Sequence, residues 1–315
     1  MLRGFNVAYT SLIDDVYGNE ILQEAKNFGA NIARVGIDHL PSGLPFTEAW
    51  PGVLANIEAY LQRARAANIS VIICCTRTPY DNFINSSEQW ADPVLLANLI
   101  TVWTDVATLS QGYLDVVYGY DLLNEPIVAV ATWMNIAVQI IDEIRLIDEV
   151  TYIVYEESNG GQYLTTPLPG DQTKIIYSFH FYTNLEFTHQ GIYSFPFPVS
   201  YPNVDRSCFI NDKNFLYNNL LVNKRFARDN NAKIYVGEFS VVRHADTESQ
   251  LYWFKVALDY FEKHEWSYTY HALKEWKGWD LDYESLPGST NLYKVTGRDT
   301  AAGTLLKSYL ARNNT

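Results

Sequence analysis

The strongest constraint on the fold is an alternation running the length of the chain. Short apolar runs at residues 2–9, 31–37, 70–75, 114–123, 151–155, 175–182, 233–236 and 267–273 read as strands. Between and after most of them lie longer segments with apolar residues at helical spacing: 14–28, 51–67, 92–110, 131–148, 211–229, 246–263 and 300–311. In the first of these the repeating positions are Val16, Ile21, Leu22, Ala25 and Phe28, and Gly29 closes the helix. Asp92-Pro93 opens another, with Asp placed to cap it and Pro at its first position. The third strand run is wholly apolar, as expected for a parallel strand covered on both faces. Such alternation predicts a parallel sheet with helical crossovers. Eight units in 315 residues fit a (β/α)8 TIM barrel, an α/β fold, better than a doubly wound sheet. No linker and no internal repeat divides the chain. We therefore expect residues 1–315 to form a single domain, with no room for a separate accessory module. Residues 156–174 show no good helix, and the longest irregular stretch, 183–210, holds Pro196, Pro198, Pro202 and many aromatics. A loop of that length is usually functional or disordered, and its aromatic content favours the first.

Charge and composition narrow the partners. With 23 basic and 36 acidic residues the net charge is -13, which repels nucleic acid and anionic membranes. The longest apolar-rich stretch, 127–141, is broken by Thr132, Asn135 and Gln139 and reads as a buried helix, so no membrane span is expected. Met1-Leu2-Arg3-Gly4-Phe5 does not form a signal peptide. The expectation is a secreted protein whose leader is absent from this sequence, with an intracellular location as the alternative. Cys74 and Cys75 are strand neighbours that must face opposite ways, and Cys208 stands alone. Neither a zinc site nor a disulfide framework is signalled. There is no nucleophile elbow, P-loop, dinucleotide fingerprint or paired-histidine metal motif, so no cofactor and no metal are expected.

In a barrel of this type the chemistry sits at the C-terminal ends of the strands. The polar residues predicted there are Arg34, Asp38-His39, Thr76-Arg77, Asn124-Glu125-Pro126, His180, Tyr182, Gly237-Glu238-Phe239 and Glu275-Trp276. Glu125 and Glu238 follow strands four and seven, and a barrel aims both into one mouth. Two facing glutamates suit glycoside hydrolysis, one protonated to assist the leaving oxygen and one ionised to attack or to activate water. Asn124 offers an amide to a sugar hydroxyl, Arg34 a charge to keep a carboxylate ionised, and Trp276 a flat face for a sugar ring. Taken singly, each has a plainer reading: a capped turn for Glu125, a core histidine for His180, an ion-pair partner for Arg34, core packing for Trp276. Trp50, Trp90 and Trp279 are weaker candidates for sugar platforms, with core or plain loop packing the plainer reading. Glu156-Glu157 reads as a solvated turn, and His189 as a loop residue able to shape a cleft.

Together these motifs resemble glycoside hydrolase family 5, the cellulase family of the clan A barrels. Asn124-Glu125-Pro126 and Gly237-Glu238-Phe239 carry the resemblance. Gly29-Ala30-Asn31-Ile32-Ala33-Arg34, His180-Phe181-Tyr182, the opening Leu2-Arg3-Gly4-Phe5-Asn6 and Lys274-Glu275-Trp276 extend it in order along the chain. The resemblance implies Glu125 as acid/base and Glu238 as nucleophile of a retaining mechanism. It implies Asn124 on the sugar 2-hydroxyl, Arg34 and Tyr182 on Glu238, His180 near the acid/base, and Trp276 flooring the −1 subsite. One departure stands out. If Pro79 aligns with the family's nearby proline, Thr76 occupies the usual strand-three histidine position. The expected activity is hydrolysis of β-linked oligo- or polysaccharide by an endo-β-1,4-glucanase. A β-mannanase, an exo-acting or lipid-linked glycosidase, and a non-catalytic carbohydrate-binding barrel are the alternatives; oligomeric state is left open.

Overall fold

Strands that are apolar on both faces need cover on both sides, and closing the sheet on itself supplies it. The computed structural model describes residues 1–37, 44–77, 90–197 and 209–314. Asp38, His39, Pro79, Pro198, Pro202 and Cys208 lie outside them. Eight parallel strands close a barrel in chain order: β1 (Arg3–Val7), β2 (Ile32–Ile37), β3 (Ser70–Cys75), β4 (Val117–Asp121), β5 (Tyr152–Glu156), β6 (Ile175–Phe181), β7 (Lys233–Phe239) and β8 (Ser267–Leu273). β1 pairs with β8 through Arg3–Tyr268 and Gly4–Thr269, which seals the ring.

The expected alternation of faces is visible residue by residue. In β2, Ala33 and Val35 pack outward against the helices, while Ile32 and Arg34 point into the barrel. In β3, Cys75 packs outward and Cys74 faces Arg34 inside. The lower interior is an apolar floor of Ile32, Ile72, Val154, Ile176 and Tyr235. The layer above is polar: Asn6, Arg34, Asp121, Glu156, His180 and Thr269. An apolar plug below and a polar layer above place the reactive end at the strand C-termini.

The surrounding helices are α1 (Thr10–Ile13), α2 (Asp15–Phe28), α3 (Phe46–Ala67), α4 (Pro93–Ser110), α5 (Val130–Arg145), α6 (Leu185–Thr188), α7 (Phe209–Asp229), α8 (Thr247–Lys263) and α9 (Ala301–Leu310). Asp92 caps α4 by accepting from the Val94 N–H, with Pro93 at the first position. Asp14, Asp246 and Thr300 cap α2, α8 and α9 in the same way. Three features depart from the expectation. First, α3 begins at Phe46 and carries Pro51 inside it. Trp50 holds that turn, stacking on Phe46 at 5.8 Å and donating to Asp105 at 2.7 Å, so one lost backbone bond is tolerated. Second, α4 is long and apolar enough to cross a membrane by length and composition. Leu95, Leu99, Val102, Trp103 and Val106 bury against the barrel, which accounts for its apolarity as core packing. Third, a small antiparallel hairpin of β9 (Tyr283–Ser285) and β10 (Leu292–Lys294) follows β8.

One irregularity matters for the site. Val236 on β7 pairs with Phe179, but Glu238 pairs with the next residue, His180. A side chain two residues after outward-facing Val236 would itself face outward. The one-residue slip turns Glu238 into the barrel and lets Phe239 rejoin the outer core. Gly237 sits at the slip, and a Cβ there would meet the Ser178 hydroxyl oxygen at 2.7 Å.

Candidate active site

Arg34, buried inside the barrel, organises the site. Its Nε donates to Asp121 at 2.7 Å, and Nη1 donates to Asn6 and to Glu238 Oε1, each at 2.8 Å. Nη2 donates to Asn124 Oδ1 at 2.8 Å and to Glu156 Oε1 at 3.1 Å, and lies 3.1 Å from Cys74 Sγ. A planar guanidinium gripped in this way has one orientation. The other oxygen of Glu238 accepts from the Tyr182 hydroxyl at 2.8 Å.

Glu125 lies just beyond β4, with a backbone φ of 45° in the left-handed region. Non-glycine residues adopt that conformation only when their surroundings impose it. Here the imposing contact is Glu156, whose Oε2 accepts the Glu125 N–H at 2.9 Å. Gly161 lies over the pair: a Cβ there would meet Glu156 Oε2 at 2.9 Å and Glu125 Cγ at 3.3 Å. His180 Nδ1 lies 2.6 Å from Glu125 Oε1 and 3.6 Å from Glu238 Oε2. Ligand-type atoms of Glu125, His180 and Glu238 all fall within 4.8 Å of one another. That spacing would admit a metal ion, but Arg34, Tyr182 and the imidazole already hold the two carboxylates.

The electrostatics divide the two glutamates. Burial alone would push the Glu238 carboxyl up, but His180, His271, Arg34 and the Tyr182 hydroxyl outweigh it and hold the group well below the ordinary range. Glu238 therefore stays ionised. Glu125 is more open, its side chain 35% exposed at the mouth. A buried ionised carboxylate beside a second, half-open one, both at the rim of an eight-stranded barrel, is a disposition suited to attack on a substrate entering from above.

The family model described as cellulase (glycosyl hydrolase family 5) matches residues 2–277. The chain belongs to glycosyl hydrolase family 5. It is a glycoside hydrolase on a TIM barrel. This family 5 chain is 26% identical over 280 residues to endoglucanase C of Acetivibrio thermocellus, covering 75% of this chain and 81% of the relative. It is 25% identical over 232 residues to endoglucanase 3 of Fibrobacter succinogenes, covering 62% of this chain and 35% of the relative. Among solved structures it resembles Thermotoga maritima Cel5A in complex with mannotriose, at TM-score 0.75 and 20% identity, covering 98% of this chain and 96% of that one. It also resembles cellulose synthase subunit Z of Clostridioides difficile, at TM-score 0.75 and 19% identity, covering 98% and 99%. These last two likenesses are of fold.

Within the family 5 barrel, Arg34, Asn124, Glu125, His180, Tyr182 and Glu238 come together at one mouth, linked by direct contacts. Trp276 stands one ring further out. It is exposed, its ring lies over Gly278, and it meets Trp279 edge-on at 5.7 Å. Trp279 is the ring nearer the carboxylates, 6.2 Å from Tyr182 and 6.0 Å from His271. Trp50 and Trp90 are core, with Trp90 edge-on to Trp133 at 6.0 Å. Thr76 leans back onto β2, its hydroxyl oxygen filling the space above Gly36. His189 lies in the cleft wall, 5.0 Å from the Tyr182 ring, and burial with the neighbouring His271 lowers it to about 4.

The reading of Glu156-Glu157 as a solvated turn is corrected. Both are buried. β5 runs one residue further than expected, which carries Glu156 inside, and Glu157 accepts the Thr166 N–H at 3.1 Å from the loop that folds over it. Asp121, Glu156 and His271 are site residues that the motifs did not mark. A charge inside an apolar strand run was the available signal for Asp121. His271 Nδ1 lies 3.6 Å from Glu238 Oε2, and its Nε2 lies 3.6 Å from Glu275.

Proposed function

We propose that this chain is a retaining endo-β-1,4-glucanase, with Glu238 the nucleophile and Glu125 the general acid/base. The observation carrying this reading is that the two carboxylates converge on one imidazole nitrogen, His180 Nδ1 lying 2.6 Å from Glu125 Oε1 and 3.6 Å from Glu238 Oε2, with an oxygen of each within 4.8 Å of the other. Retaining glycosidases hold the pair about 5–5.5 Å apart, while inverting ones leave about 6.5–9.5 Å for a water between them. Glu238, kept ionised by Arg34 and Tyr182, attacks the anomeric carbon as Glu125 protonates the leaving oxygen. Water activated by Glu125 then releases the sugar from Glu238. Asn124 is gripped by Arg34 through its amide oxygen, so its NH2 is the half turned to a substrate hydroxyl. On the Glu125 side, a cavity of about 530 Å³ lined by Gln162, Tyr163, Asn184, Phe215 and Asn219 has the amides and rings that suit the leaving sugar. The endoglucanase relatives favour β-glucan as substrate.

The mannotriose complex of the similar Thermotoga barrel favours β-mannan as a second substrate. The test is a panel of β-glucan, β-mannan and aryl glycosides with Glu238→Ala and Glu125→Ala. Each variant should lose on the order of a thousandfold or more in turnover. Near-normal hydrolysis of glucan by Glu238→Ala would refute the assignment, and a wild-type preference for mannan would move the substrate to the second reading.

A further inference from the structure

Glu156 has no part in the two steps above, yet it sits fully buried among the groups that do. An unpaired carboxylate at such depth costs several kcal/mol, so its partners define what it is for. Oε2 accepts the Glu125 N–H at 2.9 Å, and Oε1 lies 3.1 Å from Arg34 Nη2 and 3.0 Å from His180 Nε2. His180 thus lies between two carboxylates, within hydrogen-bond distance of Glu125 at Nδ1 (2.6 Å) and within ion-pair distance of Glu156 at Nε2, where the angle is poor for a hydrogen bond. Its backbone N–H is tied to the Gly161 carbonyl at 2.6 Å, in the segment that covers both acids.

We propose that Glu156 is a positioning residue that keeps His180 an imidazolium, and that His180 Nδ1 stores the proton Glu125 delivers and recovers. This rests on the reading of Glu125 as the acid/base. Before reaction one proton is shared across the Nδ1–Oε1 contact. In the first step Glu125 passes a proton to the leaving oxygen as the glycosidic bond breaks and the bond to Glu238 forms; His180 is left neutral and Glu125 ionised. In the second step water attacks the anomeric carbon, its proton goes to Glu125, and the glycosyl–Glu238 bond breaks. The shared proton is restored, and no external acid or base is consumed.

The other charged groups around the imidazole are consistent with this. Glu238 Oε2 faces it from β7 at 3.6 Å. Arg34 faces Glu156 from β2 and is itself balanced by Asp121 on β4. His271 on β8 and Tyr182 beyond β6 face Glu238 rather than His180. Burial disfavours the imidazolium, but Glu156, Glu238 and the bond to Glu125 outweigh it and raise His180 well above its ordinary value.

The test is Glu156→Gln, which keeps the shape and removes the charge. Without that charge His180 surrenders its proton at lower pH, so the alkaline limb of kcat/KM should move down by about one pH unit or more. Loss on cellotetraose should exceed loss on a dinitrophenyl β-cellobioside by about tenfold or more, because the activated leaving group needs no proton. Glu156→Asp, which keeps the charge, should bring the limb back toward wild type. An unmoved limb with equal losses on both substrates overturns the proposal. Should the Gln variant not fold, the NMR titration of His180 in the intact protein decides: charged through about pH 7 supports the proposal, neutral there overturns it. Glu125→Ala separates the two levels of failure. If it shows neither leaving-group dependence nor rescue by azide, the acid/base reading fails first; if it shows both while Glu156→Gln shows none, only the role of Glu156 fails.

Discussion

The chemistry of this barrel is concentrated in one residue that touches no bond being broken. Arg34 pairs with Asp121, Glu156 and Glu238, and the tightest of these contacts are 2.7 and 2.8 Å. Replacing it by Met leaves three carboxylates facing each other in a dry interior. We expect Arg34→Met to cost about 3–5 kcal/mol of stability, read from denaturant unfolding at neutral pH. The deficit has a definite pH dependence. Deprived of the cation, the carboxyls take up protons at higher pH in the folded state than in the unfolded state. Their ionisation then opposes folding, so the deficit should shrink as the pH is lowered toward about 5. A deficit independent of pH would mean that Arg34 acts by packing alone. Glu125 and Glu238, the proposed acid/base and nucleophile, were legible as a facing pair because each lies in a short motif at a strand end. Asp121, Glu156 and His271 were not, because a lone charged residue in a strand does not name its partners. Those partners come from β2, β6 and β7, far away in sequence.

At the scale of the element, the alternation of strand and helix was sufficient to order the barrel, since burial on both faces leaves a parallel strand few other neighbours. The unforeseen element features were local departures from regular period: the proline inside α3, the hairpin after β8, and above all the slip in β7. Periodicity continued from Val236 would aim Glu238 at the helices, and only the unpaired residue at Gly237 returns it to the interior. Gly237→Ala tests this. Its methyl would press on the Ser178 hydroxyl oxygen at 2.7 Å and on His180 Nε2 at 3.1 Å, and the imidazole it displaces lies 3.6 Å from Glu238 Oε2. We expect a loss of stability of about 1–3 kcal/mol and a fall in kcat of about a hundredfold or more, with KM changed little. Equal kcat in the two proteins would show that the slip does not position Glu238.

Across the whole molecule, an apolar floor closes the lower barrel and a charged layer caps it, so substrate can meet the carboxylates from one side only. The net charge of -13 suits a neutral polymer, which needs no electrostatic attraction to reach that mouth. The family match and the barrel establish a glycoside hydrolase. Under the roles proposed for Glu125 and Glu238, hydrolysis passes through a glycosyl bond to Glu238. The most direct test is proton NMR of the product first released from a β-1,4-linked cello-oligosaccharide, recorded before mutarotation. Retention predicts the β anomer first, the configuration of the bond that was cut; an α anomer appearing first would contradict it.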